Sequence, residues 1–111
     1  MTPDPGHEAD ALDAAVDALS DRLRVLPESR LRRDAAAAGL ALARELSRRA
    51  QLLERPGRPP AELPDIGIYA VGDQVAVAGH DLAEALRAAP AGHDRRAELA
   101  SALDLVRTNR F

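Results

Sequence analysis

Cysteine is absent from this 111-residue chain, as are lysine and tryptophan, and the aromatics are limited to Tyr69 and Phe111. Without cysteine there is no disulfide framework, no thiolate metal site and no thiol nucleophile. Two aromatics are too few to build the stacking platforms on which single-stranded nucleic acids are held. No apolar run approaches the length of a membrane-spanning helix. The opening MTPDPGHEAD has neither a basic start nor an apolar stretch, so no secretory signal or membrane anchor is expected and the cytoplasm is the expected compartment. All fifteen basic residues are arginine, a bias that reads as the codon composition of a high-GC bacterial genome rather than as chemistry.

Catalytic signatures are missing as well. Ser20, Ser29, Ser47 and Ser101 have no histidine close by and no strained-turn context. The glycine-containing stretch AVGDQVAVAG lacks the lysine of a phosphate-binding loop and the spacing of a dinucleotide turn. The paired Glu-x-x-His motifs of a carboxylate-bridged di-metal bundle do not occur. No family signature and no internal repeat stands out, so neither enzymatic activity nor a cofactor is expected.

What the chain has in quantity is alanine, 24 of its 51 hydrophobic residues. Alanine suits helices but buries little area. A core so lean gains from a second buried face, which points to a homodimer. Residues 1–7, with Pro3 and Pro5, read as a disordered leader, and 8–111 as a single helical domain. Leu12, Val16, Leu19, Leu23 and Leu26 step four, three, four, three and predict an amphipathic helix from about Glu8 to Leu26. Pro27 breaks it, and Ser29 can cap a second helix over about Arg30 to Glu54, with Leu31, Ala35, Ala38, Leu42, Leu46 and Leu53 as its apolar stripe. A proline-rich loop at 55–64 comes next. A last helix is expected after Gly92, with Asp94 as its cap.

The segment Ile66 to Leu86 supports two periods. With a period of two, Ile66, Ile68 and Ala70 pair through Gly72-Asp73 with Val75 and Val77 as a β-hairpin at about 66–78, which would make the fold α+β. With a helical period, Val71, Val75, Ala78, Leu82 and Leu86 form one stripe, flanked by the small residues Gly72, Ala76, Gly79 and Ala83. No third strand is on offer to stabilise a hairpin. The preferred fold is therefore all-α, a small, alanine-rich antiparallel four-helix bundle in which the small line of the third helix meets Ala36, Gly39 and Ala43 of the second.

The net charge of −3 conceals a polarity. Residues 1–26 carry six acids against two arginines, and residues 27–58 carry eight arginines against four acids. On a uniform helical wheel Arg30, Arg33, Arg44, Arg48 and Arg55 fall within an arc of about 60°, opposite the leucines, and extend about 37 Å. Asp10, Asp13, Asp17 and Asp21 likewise lie opposite the leucines of the first helix, so both stripes should face outward. The arginine stripe is the candidate partner-binding site, and a protein surface is the expected partner. The alternative is a nucleic-acid backbone, disfavoured by net charge and by the flanking acids Asp34 and Glu45. A helix-turn-helix across Gly92 would have only Arg95 and Arg96 near the start of its reading helix. A third reading is a small metal- or ligand-binding bundle in which Asp73, His80 and Glu84 share one helix face. His80 and Glu84 at i and i+4 are equally explained as an ordinary surface pair, while His7 and His93 sit where leader and turn are expected. The expected function is a non-enzymatic helical interaction module, regulatory or scaffolding, acting on itself and on another protein, with no role at a membrane.

Overall fold

Prolines and glycines divide the described residues into four helices. A computed structural model of the protein describes residues 5–111; residues 1–4, the first part of the expected leader, lie outside the described residues. Helix α1 (Pro5–Val25) already includes Pro5, Gly6 and His7, and a proline in the first turn forfeits no hydrogen bond, since the N–H it lacks would have no partner there. Helix α2 covers 28–54 in three parts: an opening turn Glu28–Arg30, a π-helical turn Leu31–Ala35 and the α-helix Ala36–Glu54. It begins one residue before Ser29, with Pro27 as its extended N-cap and the Pro27 carbonyl accepting from the amides of Arg30 and Leu31. A 3-10 turn, Ile68–Ala70, leads into α3 (Val71–Ala88), and α4 (His93–Thr108) starts after Gly92 rather than at an Asp94 cap. No strand occurs among the described residues, so the hairpin alternative at 66–78 gives way to helix.

The protein is an all-α bundle with α3 in the middle, flanked by α1 on one side and α2 on the other, while α4 packs mainly on α1. The Cα envelope is only 16 Å thick against 46 and 33 Å in the other directions. Leu12, Val16, Leu46, Val75, Leu82, Leu86, Leu99 and Val106 are fully buried and knit all four helices into one core. Truncating any of these leucines to alanine costs about 2 to 5 kcal/mol.

Glycine governs how close α3 comes to its neighbours. A Cβ at Gly79 would lie 2.5 Å from both methyls of Val16, and one at Gly72 would lie 2.9 Å from Arg24 Cγ and 3.2 Å from the Ser20 carbonyl. The small-residue line of α3 therefore meets α1, not Ala36, Gly39 and Ala43 as its spacing suggested. Gly39 serves the other interface, where its missing Cβ makes room for Val71. Ser20, fully buried, donates a 2.8 Å hydrogen bond from Oγ to the Gly72 carbonyl and ties α1 to α3.

Helix directions are set by these pairings. Val16 opposite Gly79 and Arg24 opposite Asp73 make α1 and α3 antiparallel. Gly39 against Val71 at one end, with Leu53 and Leu86 bordering one cavity at the other, makes α2 and α3 parallel. This junction departs from the all-antiparallel expectation, and the physical reason is the linker. Parallel neighbours need a connection that runs back along their length, and the proline-rich stretch does so. Gln51 holds it with a reciprocal pair of 2.9 Å bonds to the Ala61 amide and carbonyl, Arg44 Nε donates to the Leu63 carbonyl and Gln74 Nε2 to that of Pro64. The linker ends at Gly67, whose φ of 109° suits glycine and whose amide donates to Asp65.

The π-helical turn explains another departure. A π-turn carries one extra residue, which rotates the helix on its N-terminal side by about 100° relative to the helix on its C-terminal side. It brings Leu31 into the core and takes Arg30 out of line with Arg44 and Arg48. Ala38 and Leu53, which a uniform wheel assigns to the apolar stripe, are exposed.

Candidate functional site

The acidic edge of α1 faces outward as expected, with Asp10, Asp17 and Asp21 exposed, but it does not stand free. Because glycine lets α3 approach so closely, the long polar side chains on its flank reach those aspartates. His80 sits between two of them, with Nδ1 2.6 Å from Asp13 and Nε2 2.7 Å from Asp17. Ionised carboxylates only accept, so both ring nitrogens must donate and the imidazole is held as the cation. Partial burial pulls its pKa down, but the bonds to Asp13 and Asp17 outweigh this and hold it above the ordinary histidine value. Arg87 binds Asp13 and Asp10 at 2.6 Å each, and these bonds raise its pKa further. Arg24 joins Asp73 to Asp21. The three residues Asp73, His80 and Glu84 thus turn to different partners, Arg24, the Asp13–Asp17 pair and Arg87 respectively. They do not converge, and no group of three or more metal-ligating side chains is gathered among the described residues.

The five arginines are likewise divided. Arg44 is spent on the linker through the Leu63 carbonyl and a 3.5 Å approach to Glu62. Arg48 grips Glu45 through two bonds, and this contact, against the opposing effect of desolvation and with help from Arg49, lowers the Glu45 pKa to about 2. Arg30 and Arg33 are exposed near the start of α2, and Arg55 is exposed just beyond its end. Arg95, near the start of the helix-turn-helix reading, is buried, and its guanidinium donates to the Ala89 carbonyl at 2.7 Å and points at those of Leu86 and Arg87. It closes the C-terminus of α3 and is unavailable to read bases. Nothing in the sequence singled it out for that role.

One surface escapes a reading by period alone. Between the linker and α3 lies an open cleft of about 280 Å³ with Leu63, Ile66, Ala70 and Val77 in its lining and Asp73 and Asp81 on its rim. Ile66 is 65% and Val77 62% exposed, in a chain that buries most of its few large apolar side chains. Tyr69, 69% exposed, lies in the 3-10 turn shortly after Ile66; partial desolvation and Glu28 together raise its pKa. Gln74 lines the same cleft and carries a buried Oε1 with no hydrogen-bond partner. The linker positions Leu63 and Ile66, since Gln51, Arg44 and Gln74 fasten its backbone at Ala61, Leu63 and Pro64. A signal was present in the sequence: Val77 is the large apolar residue of α3 that falls off its own buried stripe.

No protein-family model, no curated protein and no solved structure matches the chain. No helix among the described residues is long and apolar enough to cross a membrane.

Proposed function

We propose that the protein is a non-enzymatic helical interaction module, regulatory or scaffolding in role, that binds another protein through the cleft between the linker and α3. The observation that carries this reading is that Ile66 and Val77, both largely exposed, line one cleft. Single exposed apolar residues are ordinary, but large ones gathered in a concave, polar-rimmed place mark interaction sites. The acidic rim speaks against a nucleic-acid backbone, and the arginines that would have served one are partly consumed by Glu45, Glu62 and the linker. The cytoplasmic setting and bacterial source suggested by composition belong to the same reading.

The test is a photo-reactive amino acid placed at Val77 in the cells that make the protein. A discrete adduct that disappears when Ile66→Asp is added supports the reading. Its absence, or an identical pattern from a probe at Arg33, an exposed residue outside the cleft lining, refutes it.

Self-association is a second reading, and it has its own surface. A groove of about 720 Å³ runs between α1 and the end of α4, floored by Ala11, Ala14 and Ala18 and edged by Arg22, Arg107 and Arg110. Small side chains there allow a second helix to approach closely. Sedimentation of the wild type against Ala14→Glu tests it: a dimer converted to a monomer supports it, and a wild-type monomer at micromolar concentration removes it.

A further inference from the structure

The charge around the cleft specifies what kind of protein segment fits it. On α3 Val77 has Asp73 one turn before it and Asp81 one turn after, and Glu84 a turn further. Asp65 adjoins Ile66 on the linker. Asp81 makes no ion pair among the described residues, and Asp65 accepts only from the backbone amide of Gly67. Beyond α3 the surface continues into the aspartate edge of α1, whose cations are Arg24, His80 and Arg87, each already shared between carboxylates. The cleft therefore opens on a face where two carboxylates without an ion pair among the described residues, Asp65 and Asp81, flank an apolar floor, beside Asp73 and Glu84, which Arg24 and Arg87 already engage. Such a field attracts cations and repels phosphate backbones, anionic lipid and acidic peptides.

The shape narrows the choice further. One side runs from Ala70 along α3 to Asp81, about three turns, and the other is the linker at Leu63 and Ile66 with Ser47 of α2, so the cleft follows a helix face as a trough rather than a pit. Helical segments lay an apolar face into such troughs, with anchors spaced by one turn. We infer that the occupant is a basic amphipathic helix of another protein, which sets an aliphatic side chain between Ile66 and Val77 and arginines or lysines against Asp65 and Asp81. This rests on the interaction-module reading and deepens it by naming the partner's chemistry. It also explains why the floor is so open in the isolated chain: the missing wall is the partner's.

The experiment displays a library of random peptides of about 16 residues, long enough for a helix of about 24 Å, and selects against the intact wild-type protein with counter-selection on Val77→Asp. The expected survivors are rich in arginine and lysine around an aliphatic repeat of three and four. They should bind at least tenfold more weakly to Ile66→Asp and to Asp65→Asn/Asp81→Asn, and lose affinity as salt rises. Far-ultraviolet circular dichroism of each variant confirms that the fold persists. Val77-dependent binders that are neutral or acidic would overturn the inference while leaving an interaction site at the cleft. No Val77-dependent binder at all would overturn both. Selection of peptides copying this chain's own helices would assign the cleft to a second copy and equally overturn the basic partner.

Discussion

Gly79→Ala should destabilise the protein, although alanine is the better helix former. The added Cβ would sit 2.5 Å from Val16 Cγ1 and Cγ2 and 3.0 Å from Val16 Cβ, where carbon atoms prefer about 3.5 to 4.0 Å. Val16 is fully buried and β-branched, so turning its χ1 removes one methyl from the clash and leaves another in its place. Relief requires α1 and α3 to move apart, which stretches the Ser20–Gly72 bond and loosens the His80 and Arg87 contacts. Overpacking of this kind costs about 1 to 3 kcal/mol, against about 1 kcal/mol gained from replacing a mid-helix glycine. The net expectation is a loss of about 1 kcal/mol, and a larger one for Gly79→Leu. A double-mutant cycle with Val16→Ala, read by urea unfolding, isolates the contact. With the valine methyls gone, only the 3.0 Å approach to the remaining Cβ of residue 16 persists, so the same Gly79→Ala change should cost clearly less than in the wild type, or become slightly stabilising. A stabilising effect in the wild-type background, or effects that simply add, would refute the packing of α3 on α1.

Other consequences are open to measurement. His80 is bound as a cation, so its contribution is complete below its unfolded pKa near 6.5 and is lost as pH rises through its raised folded value; wild type should lose about 1 kcal/mol or less of stability from slightly acid to alkaline pH, and His80→Gln should abolish that slope in urea midpoints. Glu45 acts in the opposite sense, contributing above pH 4.5 and losing its contribution as pH falls towards its folded value of about 2; Glu45→Gln should therefore flatten the acid limb of the same profile. Gln51→Ala removes both bonds to Ala61 and should speed hydrogen exchange at the Ala61 amide severalfold, with the α1–α3 core amides unchanged. Arg95→Met should cost about 1 to 3 kcal/mol, because the carbonyls at the end of α3 lose a buried charged donor, and retained stability by thermal unfolding would show that they are satisfied some other way.

Helix identity was legible because it rests on period: the leucine steps of α1 and the Val71-to-Leu86 stripe of α3 are local facts. What period cannot reveal is which helix covers a face. Gly72 and Gly79 announce a close approach, but their partner proved to be α1, since nothing in the spacing distinguishes Val16 from Gly39 as the neighbour. A wheel of constant pitch also misplaces residues across a π-turn, which is how Arg30 came to share an arc with Arg44. The aspartates of α1 lie far enough round the helix to look exposed, yet side chains as long as Arg87 span that distance once glycine has drawn the helices together. The candidate site depended on the path of the linker, and prolines fix that a chain is not helical without saying where it runs. Only Val77, apolar yet off its stripe, marked the cleft beforehand.

That Ile66 and Val77 serve a partner rather than the fold is tested most directly by the unfolding free energy of the isolated Ile66→Ser/Val77→Ser protein. Side chains exposed to this degree should contribute little, so the double variant should match wild type to within about 0.5 kcal/mol. A loss of about 2 kcal/mol or more, the scale of a core truncation, would show that the two residues belong to the core and that the cleft is not an open surface.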